Sequence, residues 1–85
     1  MTDPRPTPRL TLLTRADCEL CERLLAELTA LRARHPIPPV DLVDVDADPL
    51  LQRRWGLKVP VLLLDGARVS GPRLDAPELL RVLRL

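Results

Sequence analysis

Residues 10–28, LTLLTRADCELCERLLAEL, pass from one repeating pattern to another and so indicate the architecture of the chain. The first five, Leu10–Thr14, are short, apolar and β-prone, and the polar residues after them are typical of the end of a buried strand. Beyond that point the apolar residues take up helical spacing. The only two cysteines of the chain, Cys18 and Cys21, lie at this predicted junction between a strand and a helix.

The helix is marked by leucines at spacings of four, four and three: Leu20, Leu24, Leu28 and Leu31. Charged residues fill most of the other positions, which predicts an amphipathic helix from Cys18 or Glu19 to about Arg34. The segment HPIPP, residues 35–39, ends it, because proline disfavours helical backbone at the residue before it.

Three more strands and two more helices follow from local signals. The strands are predicted at Val40–Val45, Val61–Leu64 and Ala67–Ser70. The last two are joined by a hairpin turn at Asp65-Gly66. Asp48 and Pro49 are typical of the start of a short helix, which Trp55 and Gly56 end. Asp75 and Glu78 predict a capping box at the start of the last helix, which is expected to run to the end of the chain.

The resulting order, β-α-β-α-β-β-α, predicts an α/β fold with a four-stranded mixed sheet flanked by helices. Strands one and two should be parallel through a right-handed crossover, whereas strands three and four should form an antiparallel hairpin. The 85 residues suffice for a single domain, which we assign to residues 10–85. Residues 1–9, MTDPRPTPR, predict a flexible tail.

Composition narrows the choice of partners. Thirteen Lys and Arg residues against twelve Asp and Glu leave a formal charge of +1, and Trp55 is the only aromatic residue, so nucleic acid is not an expected partner. The tail has no apolar run typical of a secretory signal, and no segment is apolar enough to span a membrane. We therefore expect a cytoplasmic monomer, in which a close cysteine pair is redox-active or metal-binding rather than structural.

The position of the cysteines points to thiol chemistry. A thiolate at Cys18 would meet the unpaired amides and the positive dipole of the helix start, which lower the pKa of a thiol. Cys21, one turn further, can reach the first sulfur and release a product. The acids Asp17, Glu19 and Glu22 disfavour a thiolate at Cys18, so the sequence predicts a weak oxidant or a reductant.

Two alternatives stay open for the cysteine pair. It could be half of a zinc site, although the only histidine, His35, is predicted at the far end of the helix. The two residues could also be buried structural thiols. The acidic run Asp41–Asp48 has no calcium-loop spacing; we interpret Asp48 as a helix cap, and Asp44 and Asp46 as solvated charges. Trp55 is expected to pack the short helix against the sheet.

Three segments together resemble a small glutaredoxin-like member of the thioredoxin superfamily: TRADCELC at 14–21, KVPVLLLDG at 58–66 and SGPRLDAPEL at 70–79. The resemblance extends over residues 10–85 and implies a thioredoxin/glutaredoxin-like fold. It further implies that Pro60 is cis and lies beside the cysteines, and that the backbone of Val59 pairs with an extended substrate or with glutathione.

The resemblance also suggests contacts to glutathione. Arg15 matches a basic residue three positions before the nucleophile, and Gly71 and Asp75 match parts of a Gly-Gly turn and acid that hold the γ-glutamyl end. Lys58 could pair with a carboxylate. Pro72 replaces the second glycine and has no amide to donate.

These observations favour a thiol-disulfide oxidoreductase that reduces or exchanges protein disulfides or glutathione mixed disulfides. Cys18 would attack, Cys21 would resolve, and Val59 and Pro60 would position the substrate. No bound cofactor and no metal are expected, glutathione is a possible co-substrate, and a glutathione-type or thioredoxin-type system would supply electrons. The alternatives are a non-catalytic thioredoxin-like adaptor and an iron-sulfur or metal carrier that uses Cys18 as a ligand.

Overall fold

The computed structural model describes residues 8–85, which form four strands, three α-helices and one short 3₁₀ turn. The elements are β1 (Leu10–Thr14), α1 (Glu19–Arg32), β2 (Val40–Asp44), the 3₁₀ turn (Val45–Ala47), α2 (Pro49–Trp55), β3 (Val61–Leu64), β4 (Ala67–Ser70) and α3 (Ala76–Leu83). This order confirms the predicted α/β fold.

The four strands form one mixed sheet in the order β2-β1-β3-β4. Strand β1 pairs in parallel with β2, with Leu10 opposite Val40, and antiparallel with β3, with Leu13 opposite Val61. Strands β3 and β4 form the predicted antiparallel hairpin. Its turn uses left-handed backbone at both Asp65 (φ 50°) and Gly66 (φ 87°), the conformation that a two-residue hairpin of this twist requires.

The core has two parts, one on each face of the sheet. Under α1 and α3, the sheet residues Leu10, Leu12 and Leu62 are fully buried against the helix residues. On the other face Leu13 and Val61 pack with residues of the 3₁₀ turn and α2. Because successive side chains of a strand point to opposite faces, the apolar run of β1 supplies both parts. Trp55 joins the second part, as predicted.

Three boundaries differ from the sequence predictions. Helix α1 ends at Arg32 instead of Arg34, in a turn where the amides of residues 34 and 35 donate to the Leu31 carbonyl. Strand β2 ends at Asp44, because its carboxylate accepts the amide of Asp46 and starts the 3₁₀ turn. The buried Val45 belongs to that turn, not to the strand. Helix α3 ends at Leu83 instead of at the end of the chain, and Arg84 after it adopts left-handed backbone with φ 60°.

The predicted helix cap at Asp48 is confirmed, and at Asp75 one of the two hydrogen bonds of the predicted capping box is present. Asp48 accepts the amide of Leu50, and Asp75 accepts the amide of Glu78. The return bond of a capping box is not formed, because the Asp75 amide donates to the Ser70 hydroxyl. The prediction of a complete capping box is therefore wrong.

Of the predicted tail, residues 1–7 lie outside the described part of the chain. Arg9 is tied to the hairpin, since its amide donates to the Asp65 carboxylate and its carbonyl accepts the Asp65 amide. Within residues 8–85, no helix is both long and apolar enough to span a membrane.

Candidate redox site

The cysteine pair lies where the connection from β1 meets the start of α1. Three residues separate the strand from Cys18, and the last of them, Asp17, adopts left-handed backbone with φ 54°. Aspartate tolerates this conformation better than most residues. The tight turn brings Cys18 to the N-cap position of α1, with extended backbone. The junction predicted from the sequence is therefore present.

Cys18 and Cys21 form a disulfide, with their Cα atoms 5.2 Å apart. The two sulfurs differ in environment: Cys21 is only 4% exposed, whereas Cys18 is half-buried. The amide of Cys21 donates to the Cys18 sulfur over 3.1 Å. This donor belongs to the first turn of the helix, where amides lack a partner within the helix and favour a negative charge.

The register of the sheet brings the Val59-Pro60 segment to the same end of the sheet as the cysteine pair. Val61 pairs with Leu13 near the end of β1, so the two residues before Val61 lie beside the connection that leads to Cys18. Pro60 is buried, and the Val59-Pro60 peptide bond is cis. Within residues 8–85, the amide and carbonyl of Val59 make no hydrogen bond to another backbone group.

Arg15 is engaged by a carboxylate instead of pointing freely at a ligand. Its Nε and Nη2 atoms donate to the two carboxylate oxygens of Asp46, over 2.9 and 3.1 Å. Gln52 donates to the same carboxylate over 3.2 Å. The hydrogen bond to Asp46 raises the pKa of Arg15, and the same bond lowers the pKa of the Asp46 carboxyl. The interpretation of Asp46 as a merely solvated charge is therefore wrong.

Arg15 nevertheless remains close to the thiols. It lines a small cavity of about 230 Å³ together with Cys18 and Cys21, and the exposed acids Asp17 and Glu22 lie on the same wall. The charged side chains on this side of the disulfide are thus two acids and one arginine, and the arginine is paired to a further carboxylate.

Lys58 and Val59 line a second cavity, of about 430 Å³, on the other side of the cysteine motif. Leu20, which stands between the two cysteines, lines it as well, so the cysteine motif and Val59 face one groove. The Lys58 ammonium lies 5.7 Å from the centre of the Trp55 ring, and the Arg54 guanidinium lies 5.0 Å from it.

Gly71 and Asp75 are brought together along a third, larger cavity of about 810 Å³. Gly71 has φ 140° and precedes a cis bond to Pro72, and a side chain on it would collide with the Pro60 carbonyl. Arg68 and Pro72 line both this cavity and the Lys58 groove, so the two adjoin. Five of the six residues suggested as substrate contacts thus divide between three depressions, whereas the buried Pro60 lines none of them.

Sequence reasoning missed two participants. Arg68 reaches the site from β4, and its guanidinium donates to the Gly71 carbonyl. Leu57 is fully exposed at 101% and lines the Lys58 groove. The one available signal was the position of Leu57 next to Lys58 and Val59; Arg68 carried none. Among residues 8–85, no group of three or more His, Cys, Asp or Glu side chains is placed to hold a metal ion.

The fold and this site define a thioredoxin-like α/β domain with a dithiol at the start of its first helix. The chain belongs to the family of the glutaredoxin-like domain (DUF836), whose model matches residues 9–84. The family and the cysteine pair fit a redox-type role.

The chain is also similar to individual proteins. The uncharacterized protein Rv0508 of Mycobacterium tuberculosis and the uncharacterized protein Mb0520 of Mycobacterium bovis are each 34% identical to it over 70 residues, covering 74% of this chain and 69% of theirs. The solution NMR structure of protein Ne2328 from Nitrosomonas europaea superposes with a TM-score of 0.79 at 23% identity. That match covers 96% of this chain and 98% of the other, and shows that the two share a fold.

Proposed function

We propose that the protein is a thiol-disulfide oxidoreductase that reduces or exchanges disulfides through Cys18 and Cys21. The observation that carries the proposal is the asymmetry of the pair. Cys18 is partly accessible and its sulfur accepts an amide at the helix start, whereas Cys21 is buried behind it. An accessible, stabilised thiolate attacks, and a recessed thiol within reach resolves.

The cycle starts from the dithiol. The Cys18 thiolate attacks one sulfur of a substrate disulfide; a new S–S bond forms, and the other substrate sulfur leaves with the electron pair and takes a proton. Cys21 then loses its proton and attacks the Cys18 sulfur, which releases the second substrate thiol. The substrate has gained two electrons and two protons, and the Cys18–Cys21 disulfide has formed.

Substrate positioning is assigned to Val59 and Pro60. The Val59 amide and carbonyl are available for pairing with an extended segment, and Leu20 shares a groove with Val59. A segment laid along this edge would bring its sulfur towards Cys18 by backbone pairing. Arg15, Lys58, Gly71 and Asp75 are further candidate contacts around this segment.

The cycle needs an external thiol reductant and no bound cofactor. Two molecules of glutathione, which leave as glutathione disulfide, or one thioredoxin-type dithiol would return two electrons to the Cys18–Cys21 disulfide. We propose that the protein acts in the cytoplasm, where such reductants hold thiols reduced, and that it acts as a monomer.

The test combines a redox titration with two variants. The purified protein is equilibrated in glutathione buffers and in thioredoxin buffers, and the oxidised fraction is read by thiol alkylation. A single two-electron couple is expected. With a disulfide substrate, Cys21→Ser should trap a mixed disulfide, because the resolving thiol is gone, whereas Cys18→Ser should trap none.

Other outcomes have equally definite meanings. If only Cys18→Ser traps a mixed disulfide, Cys21 is the attacking thiol and Cys18 is the resolving thiol. Absence of turnover with every disulfide tried, despite a folded and reduced protein, would favour a binding adaptor whose thiols stay idle. A coloured protein after purification without oxygen would indicate a cluster carrier instead.

A further inference from the structure

The groove that Lys58 and Val59 line, called the Lys58 groove above, combines apolar walls with positive charge. Its walls are mainly apolar and come from Leu20, Trp55, Leu57, Val59 and Pro72. Two of these are exposed large apolar side chains, Leu20 at 47% and Leu57 at 101%. Exposed apolar side chains gathered around one depression of a small domain are typical of a binding surface.

All charged side chains that line this groove are positive. They are Lys58 and Arg68, and Arg54 stands over the ring of Trp55 beside them. Within residues 8–85, Lys58 forms no salt bridge, since the carboxylates with cationic partners pair with Arg9, Arg15 and Arg81. Lys58 is therefore a cation that a ligand carboxylate can meet without displacing a carboxylate of residues 8–85.

The other side of the cysteine motif has the opposite sign. There the cavity at Cys18 is lined by Asp17 and Glu22, and Glu19 lies next to them on the helix. Cys18 lines this cavity, and Leu20, two residues further along the helix, lines the groove that carries Lys58 and Arg68. A substrate segment that carries a carboxylate on the Lys58 side is complementary to the groove.

Three of the groups suggested for glutathione, Arg15, Gly71 and Asp75, already bind other parts of the protein. Arg15 is held by both oxygens of Asp46, and Asp75 caps helix α3. The Gly71 carbonyl accepts from Arg68, and Pro72 has no amide to donate. Few groups of the protein are therefore free to bind the charged ends of glutathione. Glutathione also has no large apolar side chain that could pack against the apolar walls of the groove.

The geometry points to a protein segment as the preferred substrate: an extended stretch with an apolar residue beside its disulfide-bonded cysteine and an acidic residue next to that. The apolar side chain covers Leu57 and Trp55, and the carboxylate pairs with Lys58, while Arg68, which stays bonded to the Gly71 carbonyl, adds positive charge beside it. This inference rests on the proposed thiol-disulfide exchange and assigns its specificity to the groove.

The test uses three probes with one leaving group. Each probe is a mixed disulfide with thionitrobenzoate: the peptide Glu-Leu-Cys-Leu-Glu, the peptide Lys-Ser-Cys-Ser-Lys, and glutathione. Thionitrobenzoate is the better leaving group, so Cys18 attacks the sulfur of the peptide or tripeptide, and the coloured thiolate departs with the electron pair. Every rate is divided by the rate of the same probe with dithiothreitol, which removes differences in intrinsic reactivity.

The reduced protein should favour the acidic-apolar peptide over the basic-polar one by about tenfold at low salt, with glutathione between them. The preference should shrink as salt screens the charges. Lys58→Glu should reverse the order of the two peptides. The matched control Arg32→Glu makes the same charge change at the far end of α1, about 20 Å along the helix, and should keep the order.

A second pair of variants tests the apolar wall. Leu57→Ser should lower the rate of the acidic-apolar peptide severalfold, whereas Leu50→Ser, at a 70% exposed leucine outside the groove, should not. Both positions are exposed, so neither variant endangers the core. Equal effects of the two serine variants would count against the groove.

The remaining outcomes separate this inference from the proposed function. Equal normalised rates for the three probes, or a preference for glutathione, would overturn the inference while leaving the exchange reaction intact. Absence of thionitrobenzoate release from all probes would overturn the proposed function. In that case, titration of the peptide Glu-Leu-Ser-Leu-Glu against the fluorescence of Trp55, the only tryptophan, still decides whether the groove binds acidic-apolar segments.

Discussion

Gly71→Ala is expected to destabilise the fold and displace Pro60 at the same time. Gly71 has φ 140°, a backbone conformation that residues with a side chain rarely adopt, which costs about 1–3 kcal/mol. The new Cβ would also lie 3.1 Å from the Val61 Cα and closer still to the Pro60 carbonyl oxygen. Backbone atoms cannot swing away as a side-chain tip can, so we add about 1–2 kcal/mol for the forced shift.

Gly66→Ala is the matched control, because Gly66 is also left-handed (φ 87°) but has no other atom within 4 Å of the point that a Cβ would occupy. Its cost should be about 1 kcal/mol, from the backbone alone. Gly71→Ala should therefore lose about 2 kcal/mol more than the control, equivalent to a melting temperature about 8–16 °C lower for a domain of this size.

The assay is thermal and urea unfolding of the oxidised proteins by circular dichroism, with exchange rates measured at 25 °C where both variants are folded. Gly71→Ala should also slow the reaction with disulfides, because Pro60 and Val59 move with the displaced carbonyl. Gly66→Ala should react at the wild-type rate. If the two alanine variants unfold at the same temperature, the contact between Gly71 and Pro60 does not carry the energy assigned to it.

The other predictions concern the core and the Arg15–Asp46 pair. Leu28→Ala, at a fully buried position, should cost about 3 kcal/mol in urea unfolding, whereas Leu50→Ala at the exposed surface should change stability by less than about 0.5 kcal/mol. Asp46→Asn should release Arg15 and raise the thiolate fraction of Cys18 at pH 7, read by absorbance at 240 nm; an unchanged fraction would show that the arginine does not act on the thiol. The same variant should lower stability at pH 7 more than at pH 3: the Asp46 pKa is lowered in the folded protein, so its contribution is complete above the ordinary carboxyl pKa and is lost as the pH falls through the folded value. A loss that is equal at both pH values would contradict this linkage.

Local patterns accounted for most of the fold. The leucine spacing of α1, the proline run after it and the Asp65-Gly66 turn each depend on residues close together in the chain, and each was interpreted correctly apart from its ends. The end of β2 was misplaced because Val43 and Val45 look alike in sequence, while only the carboxylate of Asp44 starts the 3₁₀ turn. Helix and strand ends depend on such single hydrogen bonds, so they are the least predictable part.

The composition of the site required contacts between distant residues. Asp46 meets Arg15 across 31 positions, and nothing near either residue distinguishes this pair from two solvated charges. Arg68 enters the groove only because β4 lies at the edge of the sheet beside β3. Residues this far apart in the chain become neighbours through sheet order, which no local pattern encodes.

The amino-acid sequence alone determined that two thiols stand at the start of a helix after a buried strand, because strand, turn and helix there are contiguous and their preferences are local. Tertiary structure decided how those thiols are surrounded: which sulfur is buried, which arginine is already paired, and which apolar and cationic side chains form the groove. The division has a physical cause. Backbone preference acts over a few residues, whereas burial and charge act through space between elements that the chain brings together only when the sheet forms.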